Sequence, residues 1–264
     1  RTCVFLYNQV GINYKKYLYK IYIYIYIYIY IYKMEIQKYV YNYDYDALKT
    51  VGASSSLVLI LYPSVRSYLL CKYDKFRTLP IHKQYYVVKN VIKSATLVII
   101  CGISLPTIIF PVYMNGVWSN YWCHRIGILY TTNDFMGLLL VDKLPNTTRN
   151  HHIITTILCL ISLGIDFQIS TLGQMLFVYT LASASSYLVN FHLGARLLYE
   201  KNELVHIKKQ ARNIYFISCM INWSWHVIWC IQNYNLLYFQ HMLYFLFLFF
   251  IIKDDIILLR WLNK

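Results

Sequence analysis

The sequence predicts an all-α membrane protein, a bundle of about seven transmembrane helices, from its composition and its hydropathy pattern. Of the 264 residues, 58% are hydrophobic and 14% are charged, and the mean hydropathy is +0.41. A soluble domain of this size does not need so much apolar surface. Apolar runs of about twenty residues recur without a charged face, and this length matches the hydrocarbon core of a bilayer.

Seven apolar stretches are the predicted spans. The first contains Pro63 and Arg66, and the third contains Arg125 and Asp134, so these two spans are the least uniformly apolar. Proline is tolerated in a span when neighbouring helices satisfy the freed carbonyl group. The predicted spans are 51–71, 94–113, 121–141, 151–170, 172–193, 213–231 and 235–252.

The basic residues concentrate in alternate loops of this arrangement, as they do in the cytoplasmic loops of membrane proteins. Only Arg125 falls on the opposite side, so the pattern predicts an outside N-terminus and a cytosolic C-terminus. The net charge of +14 is then explained by topology and by attraction to anionic lipid headgroups, and no nucleic-acid partner is expected. The basic loop residues are Lys72, Lys75, Arg77, Lys83, Lys89 and Lys93, then Lys143 and Arg149, then Arg196, Lys201, Lys208, Lys209 and Arg212, and finally Lys253, Arg260 and Lys264.

The N-terminal segment contains six Ile-Tyr repeats, at residues 21–32. A dinucleotide tract read in one frame encodes this pair, so we interpret residues 1–33 as a non-native translated repeat or a disordered segment, with Met34 as the expected start. The alternative is an amphipathic or cross-β segment, because alternating apolar residues have strand periodicity. The predicted organisation is this segment, an N-terminal segment at 34–50, a transmembrane domain at 51–252 and a cytosolic tail at 253–264.

The seven cysteines are scattered and show no Cys-x-x-Cys spacing. They predict neither a disulfide framework nor a zinc site. No metal and no bound cofactor are expected.

Two adjacent histidines, His151 and His152, open the fourth span, and Asp134 lies seventeen residues before His151 in the third. Ionisable groups at membrane depth are costly, and those that persist usually mark a functional site. We therefore predict His152, His151 and Asp134 as the catalytic candidates. Adjacent helical residues point about 100° apart, so His152 is assigned to the interior and His151 to a supporting or headgroup-facing role.

Other polar residues follow helical spacing within the spans and predict polar faces turned to a common interior. The competing interpretation is that they are packing contacts, since intramembrane Ser, Thr and Asn side chains commonly bond across helices. The candidates for lining a substrate cavity are Tyr130 in the third span, Thr155, Ser162 and Asp166 on the face of His152, Asn190 in the fifth, and Asn222 and His226 in the sixth.

The succession Tyr130-x-x-x-Asp134, Lys143-Leu144-Pro145 and His151-His152 resembles the core of the TLC domain family, the membrane proteins that include the ceramide synthases. The resemblance covers about residues 120–200. It implies a TLC-type helix bundle in the endoplasmic reticulum or another endomembrane, with a function in lipid metabolism. Ceramide synthases also carry a His-Asp-x-x-Asp segment after the His pair, whereas residues 181–192 contain no Asp.

If the protein is an enzyme, the resemblance implies an N-acyltransferase that acts on a long-chain lipid, with acyl-CoA as co-substrate. An imidazole can accept a proton from an amine or hydroxyl nucleophile as it attacks a thioester, or carry the acyl group itself. The alternatives are a non-catalytic TLC-type regulator of lipid composition, a lipid sensor or trafficking protein, and a transporter. A further possibility is that the His pair only contacts phosphates at the membrane interface.

Overall fold

The computed structural model describes residues 45–234 and 239–264, and these are helical with no strand among them. The predicted segment 1–33, with its Met34 boundary, and most of segment 34–50 lie outside the described residues. The prediction of an all-α fold is confirmed for the part of the chain that is described.

The helices are α1 (Tyr45–Lys72), the short α2 (Asp74–Arg77), α3 (Ile81–Ser104), a π-helical segment (Leu105–Ile109), α4 (Phe110–Asn115), α5 (Asn120–Leu140), α6 (Asn146–Ser162), α7 (Thr171–Ala184), α8 (Tyr187–Ala195), a 3-10 turn (Asn202–Leu204), α9 (Val205–Gln232) and α10 (Phe239–Asn263).

Within the described ranges, three helical stretches are long and apolar enough to cross a membrane: α1, the run Ile81–Asn115, and Asn202–Gln232. The pair α7 and α8, bent by 44° between Ala184 and Tyr187, makes a fourth if it counts as one broken span. Each of the seven predicted spans overlaps a helix, but helix α6 has only 17 residues, about 25 Å of helix. The membrane character is therefore supported, whereas the count of seven spans stays a prediction.

The long run that contains α3 changes geometry at Pro106. Proline has no N–H to donate to the preceding turn, and the chain passes here through the π-helical segment before α4 begins. Such widened turns occur where the regular hydrogen-bond ladder is interrupted. Helix α4 ends at Gly116, which has a φ of 66° and so adopts the left-handed conformation that glycine tolerates best.

Helix α3 packs against α1, α5 and α8. The largest apolar core joins it to α5, α6, α7 and α10, with Ile100, Ile126, Met175 and Ile251 almost fully buried. A smaller core joins α8, α9 and the end of α10, where Leu262 is buried. Residues 253–263 of the predicted tail are thus the last part of α10.

The loops interact in two separate groups. Between the loop after α1 and the loop after α8, the hydroxyls of Tyr73 and Tyr199 lie 2.7 Å apart, and Lys75 pairs with Glu200 at 2.7 Å. The Lys75 ammonium lowers the pKa of the Glu200 carboxyl from its ordinary value. These two loops therefore lie on one side of the bundle.

The second group joins the segment after α4 to the loop between α6 and α7. The side chain of Gln168 accepts from the backbone N–H of Trp118 at 2.7 Å, and Asn120 donates to Asp166 at 2.8 Å. These contacts hold the start of α5 against the loop that follows the end of α6.

Gly194 allows α8 to approach α3 closely, because a Cβ at this position would lie 3.3 Å from the carbonyl oxygen of Val87. We expect Gly194→Leu to push the helices apart and to destabilise the protein by about 1–3 kcal/mol, the usual cost of overpacking. The control is Gly102→Leu on α3, where a Cβ would meet nothing within 4 Å. Thermal unfolding in detergent should show a lower midpoint for the first variant only, and equal midpoints would contradict close packing at Gly194.

Candidate functional site

Four ionisable side chains meet where α3, α5 and α6 pack together. Lys89 and Lys93 come from α3, Asp134 from α5 and His152 from α6, and their exposed fractions are 3%, 6%, 0% and 3%. We refer to these four residues as the ionic cluster. Charged groups inside apolar helices are unfavourable unless they pair with one another, so their mutual contacts determine whether this arrangement is stable.

His152 lies between an acid and an amine. Its Nδ1 is 3.0 Å from Oδ1 of Asp134, and its Nε2 is 2.6 Å from Nζ of Lys89. An ionised carboxylate can only accept, so the imidazole proton belongs on Nδ1 and Nε2 accepts from the lysine. The second lysine, Lys93, forms an ion pair with Asp134.

The local sequence explains why these groups meet. Lys89 and Lys93 are four residues apart and so lie on one face of α3. Asp134 is six residues before the end of α5 and His152 six residues after the start of α6, and the loop that joins these helices is short. Both side chains are therefore about 9 Å along their helices from that loop, at matching depth.

Gly137 makes room for the Lys89 side chain. A Cβ at this position on α5 would lie 2.8 Å from Cε and 3.1 Å from Cδ of Lys89. The aliphatic part of Lys89 thus passes directly over the glycine on its way to His152. A larger residue at position 137 would displace the amine from the imidazole.

His151 lies beside the ionic cluster, but its nearest polar contacts outside it are on other helices. Its Nδ1 lies 3.5 Å from Oδ2 of Asp254 on α10, and its Nε2 lies 3.4 Å from the hydroxyl of Tyr179 on α7. The two imidazole rings are 5.7 Å apart and nearly perpendicular. His151 therefore links α6 to its other neighbours.

A small cavity borders the ionic cluster between α5, α6 and α7, and three of the predicted lining residues, Tyr130, Thr155 and Ser162, do line it. Its volume of about 30 Å³ has room for about two water molecules. Thr155 joins the cavity to the cluster, because its hydroxyl is 3.5 Å from Oδ2 of Asp134. The ring of Tyr130 lies 5.3 Å from Nζ of Lys93.

The other predicted lining residues contact different groups. Asp166 is not on the face of His152, because α6 ends at Ser162 and Asp166 lies exposed in the following loop. Asn190 donates to the carbonyl of Ser186 on its own helix. Nδ1 of His226 donates to the carbonyl oxygen of Asn222, so its Nε2 accepts from the hydroxyl of Tyr244 on α10 at 2.8 Å.

Asn222 lies one turn before His226 and is buried at 3% exposure. It borders a second, smaller cavity between α7, α9 and α10, which also contacts Tyr215 and Asp255. The polar faces of α8 and α9 therefore do not join α5 and α6 in one common interior as predicted.

Lys89 and Lys93 were predicted to lie in a basic loop, and this prediction was wrong. Helix α3 begins at Ile81, thirteen residues before the predicted start of the second span, so both lysines lie inside the helix. The four-residue spacing of the two lysines on a helix that also carries buried apolar residues was the signal that could have found them.

One metal-binding geometry is possible among the described residues. Asp134, His151 and His152 each place a ligand atom within 4.8 Å of the others. However, the ammonium groups of Lys89 and Lys93 contact two of these three residues, and like charges repel strongly in an apolar interior. The electrostatics of the cluster thus disfavour a cation.

Comparison with known proteins gives no relative: no protein-family model, no curated protein and no solved structure matches the chain.

The pairing of Lys93 with Asp134 yields a stability prediction. We expect Asp134→Asn to destabilise the protein by about 3–5 kcal/mol, because it leaves a buried ammonium without its counter-charge. The double variant Lys93→Met with Asp134→Leu removes both charges and should recover much of this loss. Thermal unfolding in detergent measures both effects.

The control is Asp166→Asn, which alters an exposed carboxyl and should cost less than about 1 kcal/mol. An Asp134→Asn variant as stable as the wild type would show that the buried pair does not form.

Proposed function

We propose that this chain is a multi-pass protein of the endoplasmic reticulum that acts on lipids, with a TLC-type bundle of seven spans and a cytosolic C-terminus. In this proposal Asp134 and His152 are the acid–base pair of an acyl transfer from acyl-CoA to the amine or hydroxyl of a long-chain lipid. The observation that carries it is the position of Nδ1 of His152 3.0 Å from Asp134 in a buried setting.

The pair places a carboxylate beside the imidazole, as general-base catalysis uses, with Nδ1 3.0 Å from Oδ1 but not aligned for a hydrogen bond. A carboxylate facing Nδ1 orients the imidazole and stabilises its protonated form, while Nε2 is left to take a proton from a nucleophile. In the resting protein this position is held by the amine of Lys89. A substrate amine or hydroxyl would take the same place next to Nε2 during the reaction.

The cavity beside the cluster is the proposed entry for the acyl chain. Its walls are mainly apolar and run along α5, α6 and α7, with Phe167 and Phe177 among the lining residues. Because its volume is about 30 Å³, binding of a lipid chain requires these helices to separate. The non-catalytic alternative, a lipid sensor or trafficking protein, uses the same cavity without the acid–base step.

Transport is the second candidate, and two observations favour it. A network of ionisable groups at membrane depth is typical of ion and proton pathways. The bend of 44° between α7 and α8 resembles the broken helices that form substrate sites in transporters. A lipid-acting enzyme is preferred because the acid and the base contact each other directly, as a catalytic pair does.

We expect His152→Gln to abolish the change in acylated lipids that expression of this chain produces, since loss of a general base lowers rates by about 100-fold or more. Glutamine is chosen because His152 is buried and bonded through its ring, so truncation would also disturb folding. Lipidomics of cells with and without the chain measures the effect. The matched control is His226→Gln, another buried histidine with a side-chain hydrogen bond. Equal lipid profiles for the two variants would contradict the proposed role.

The proposed orientation predicts that a tag after Lys264 reacts with antibody in cells permeabilised only at the plasma membrane. A tag placed ahead of Tyr45 should stay protected until all membranes are opened. The reverse pattern would place His152 near the lumenal side and exclude cytosolic acyl-CoA as the donor.

A further inference from the structure

Lys89 differs from the other buried lysine in its partner. Lys93 on the next turn is paired with the Asp134 carboxylate, whereas Nζ of Lys89 meets the neutral nitrogen Nε2 of His152 at 2.6 Å. The side chain is 3% exposed. A buried amine that faces a neutral nitrogen instead of a carboxylate has no counter-charge in direct contact, so its ammonium form is stabilised less than that of Lys93.

Asp134, His152 and Lys89 contact one another in the order carboxylate, base and nucleophile. This is the arrangement that activates a nucleophile in enzymes. The carboxylate faces Nδ1, the imidazole offers Nε2, and the amine lies within hydrogen-bond reach of it. Nucleophilic lysines are activated in this way by a nearby base, by an apolar setting and by a second cation. Lys93, four residues along the same helix face, supplies that second cation.

The position of the Lys89 amine depends on the open space that Gly137 leaves by having no Cβ. Gly137 lies under the aliphatic part of Lys89, where a Cβ would come within 2.8 Å of Cε. Residues from three helices, together with this glycine, hold Nζ against Nε2. A lysine that only filled space would not need such a fixed approach to the imidazole.

We propose that Lys89 is a nucleophilic amine that condenses with the carbonyl group of an aliphatic aldehyde to form an imine. This goes beyond the proposed acyl transfer and does not depend on it. An aldehyde is the substrate class because its imine can be hydrolysed again, whereas a thioester or ester would convert the amine into a stable amide. The apolar helices around the cluster favour an aldehyde with a hydrocarbon chain.

The reaction balances without an oxidant or reductant. Nε2 of His152 takes one proton from the Lys89 ammonium, and the freed lone pair forms a bond to the carbonyl carbon while the C=O π electrons move to oxygen. A second proton passes from the nitrogen to this oxygen and gives a hydroxyl. His152 then returns the first proton to the hydroxyl, which leaves as water while the nitrogen lone pair forms the C=N bond of a protonated imine. Asp134 faces the imidazole and stabilises its positive charge while the imidazole holds the proton. The cavity that Thr155 joins to Asp134 has room for the departing water.

The test uses the full chain purified in detergent micelles and incubated with hexadecanal. Borohydride then reduces any imine to a stable secondary amine, and peptide mass spectrometry measures the alkylated fraction at each lysine. The internal control is Lys83, which lies on the same helix and is exposed. Accessibility alone would label Lys83 more than the buried Lys89.

We expect alkylation of Lys89 to exceed that of Lys83 by about tenfold or more. This ratio is smaller than the rate enhancement of about 100-fold or more that a positioned general base gives. In His152→Gln the labelling of Lys89 should fall to the level of Lys83 or below, while His226→Gln leaves it unchanged. Labelling of wild-type Lys89 at or below that of Lys83 would overturn the proposal, whatever the lipid profiles show. Undiminished labelling in folded His152→Gln would also overturn it, since the base would then play no part.

Discussion

The arrangement of this bundle depends on one constraint, the burial of ionisable groups between apolar helices. Two ammonium groups, a carboxylate and an imidazole lie inside with almost no exposure. None of them could remain there alone, because an unpaired charge in an apolar interior costs several kcal/mol. Helices α3, α5 and α6 must therefore keep the register that brings Asp134 to both Lys93 and His152.

The same constraint gives the cluster its chemical character. In a low-dielectric setting, small changes in the distance between charges have large energies, so each proton in the cluster affects the others. His152 is the centre of this arrangement, because it contacts both the carboxylate of Asp134 and the amine of Lys89. Acyl transfer and imine formation would use the same imidazole nitrogen, in the first case on a bound nucleophile and in the second on the protein's own amine.

Part of the site could be predicted from the sequence by periodicity alone. Asp134 and His152 lie on successive helices joined by a short loop, so antiparallel packing brings them to the same depth. Thr155 follows His152 at the spacing of one helical turn and was placed on the same face for this reason. The all-helical character followed from apolar runs too long for strands.

Other parts could not be predicted because they depend on where helices begin, bend and end. Lys89 and Lys93 continue a row of basic residues that starts at Lys72, and charge density alone makes such a row look like a loop. Asp166 keeps the helical spacing of α6 but lies beyond its end at Ser162. Asn190 follows the 44° bend between α7 and α8, so the helical spacing of α7 does not carry over to it.

Nitrogen NMR of the protein in lipid bilayers, with lysine and histidine side chains labelled, measures the contacts of the ionic cluster directly. We predict a through-space correlation between Nζ of Lys89 and Nε2 of His152, with the imidazole proton on Nδ1. The signals are assigned by their loss in His152→Gln. A His152 ring protonated on Nε2, or a Lys89 amine that correlates with water alone, would contradict the ionic cluster as described.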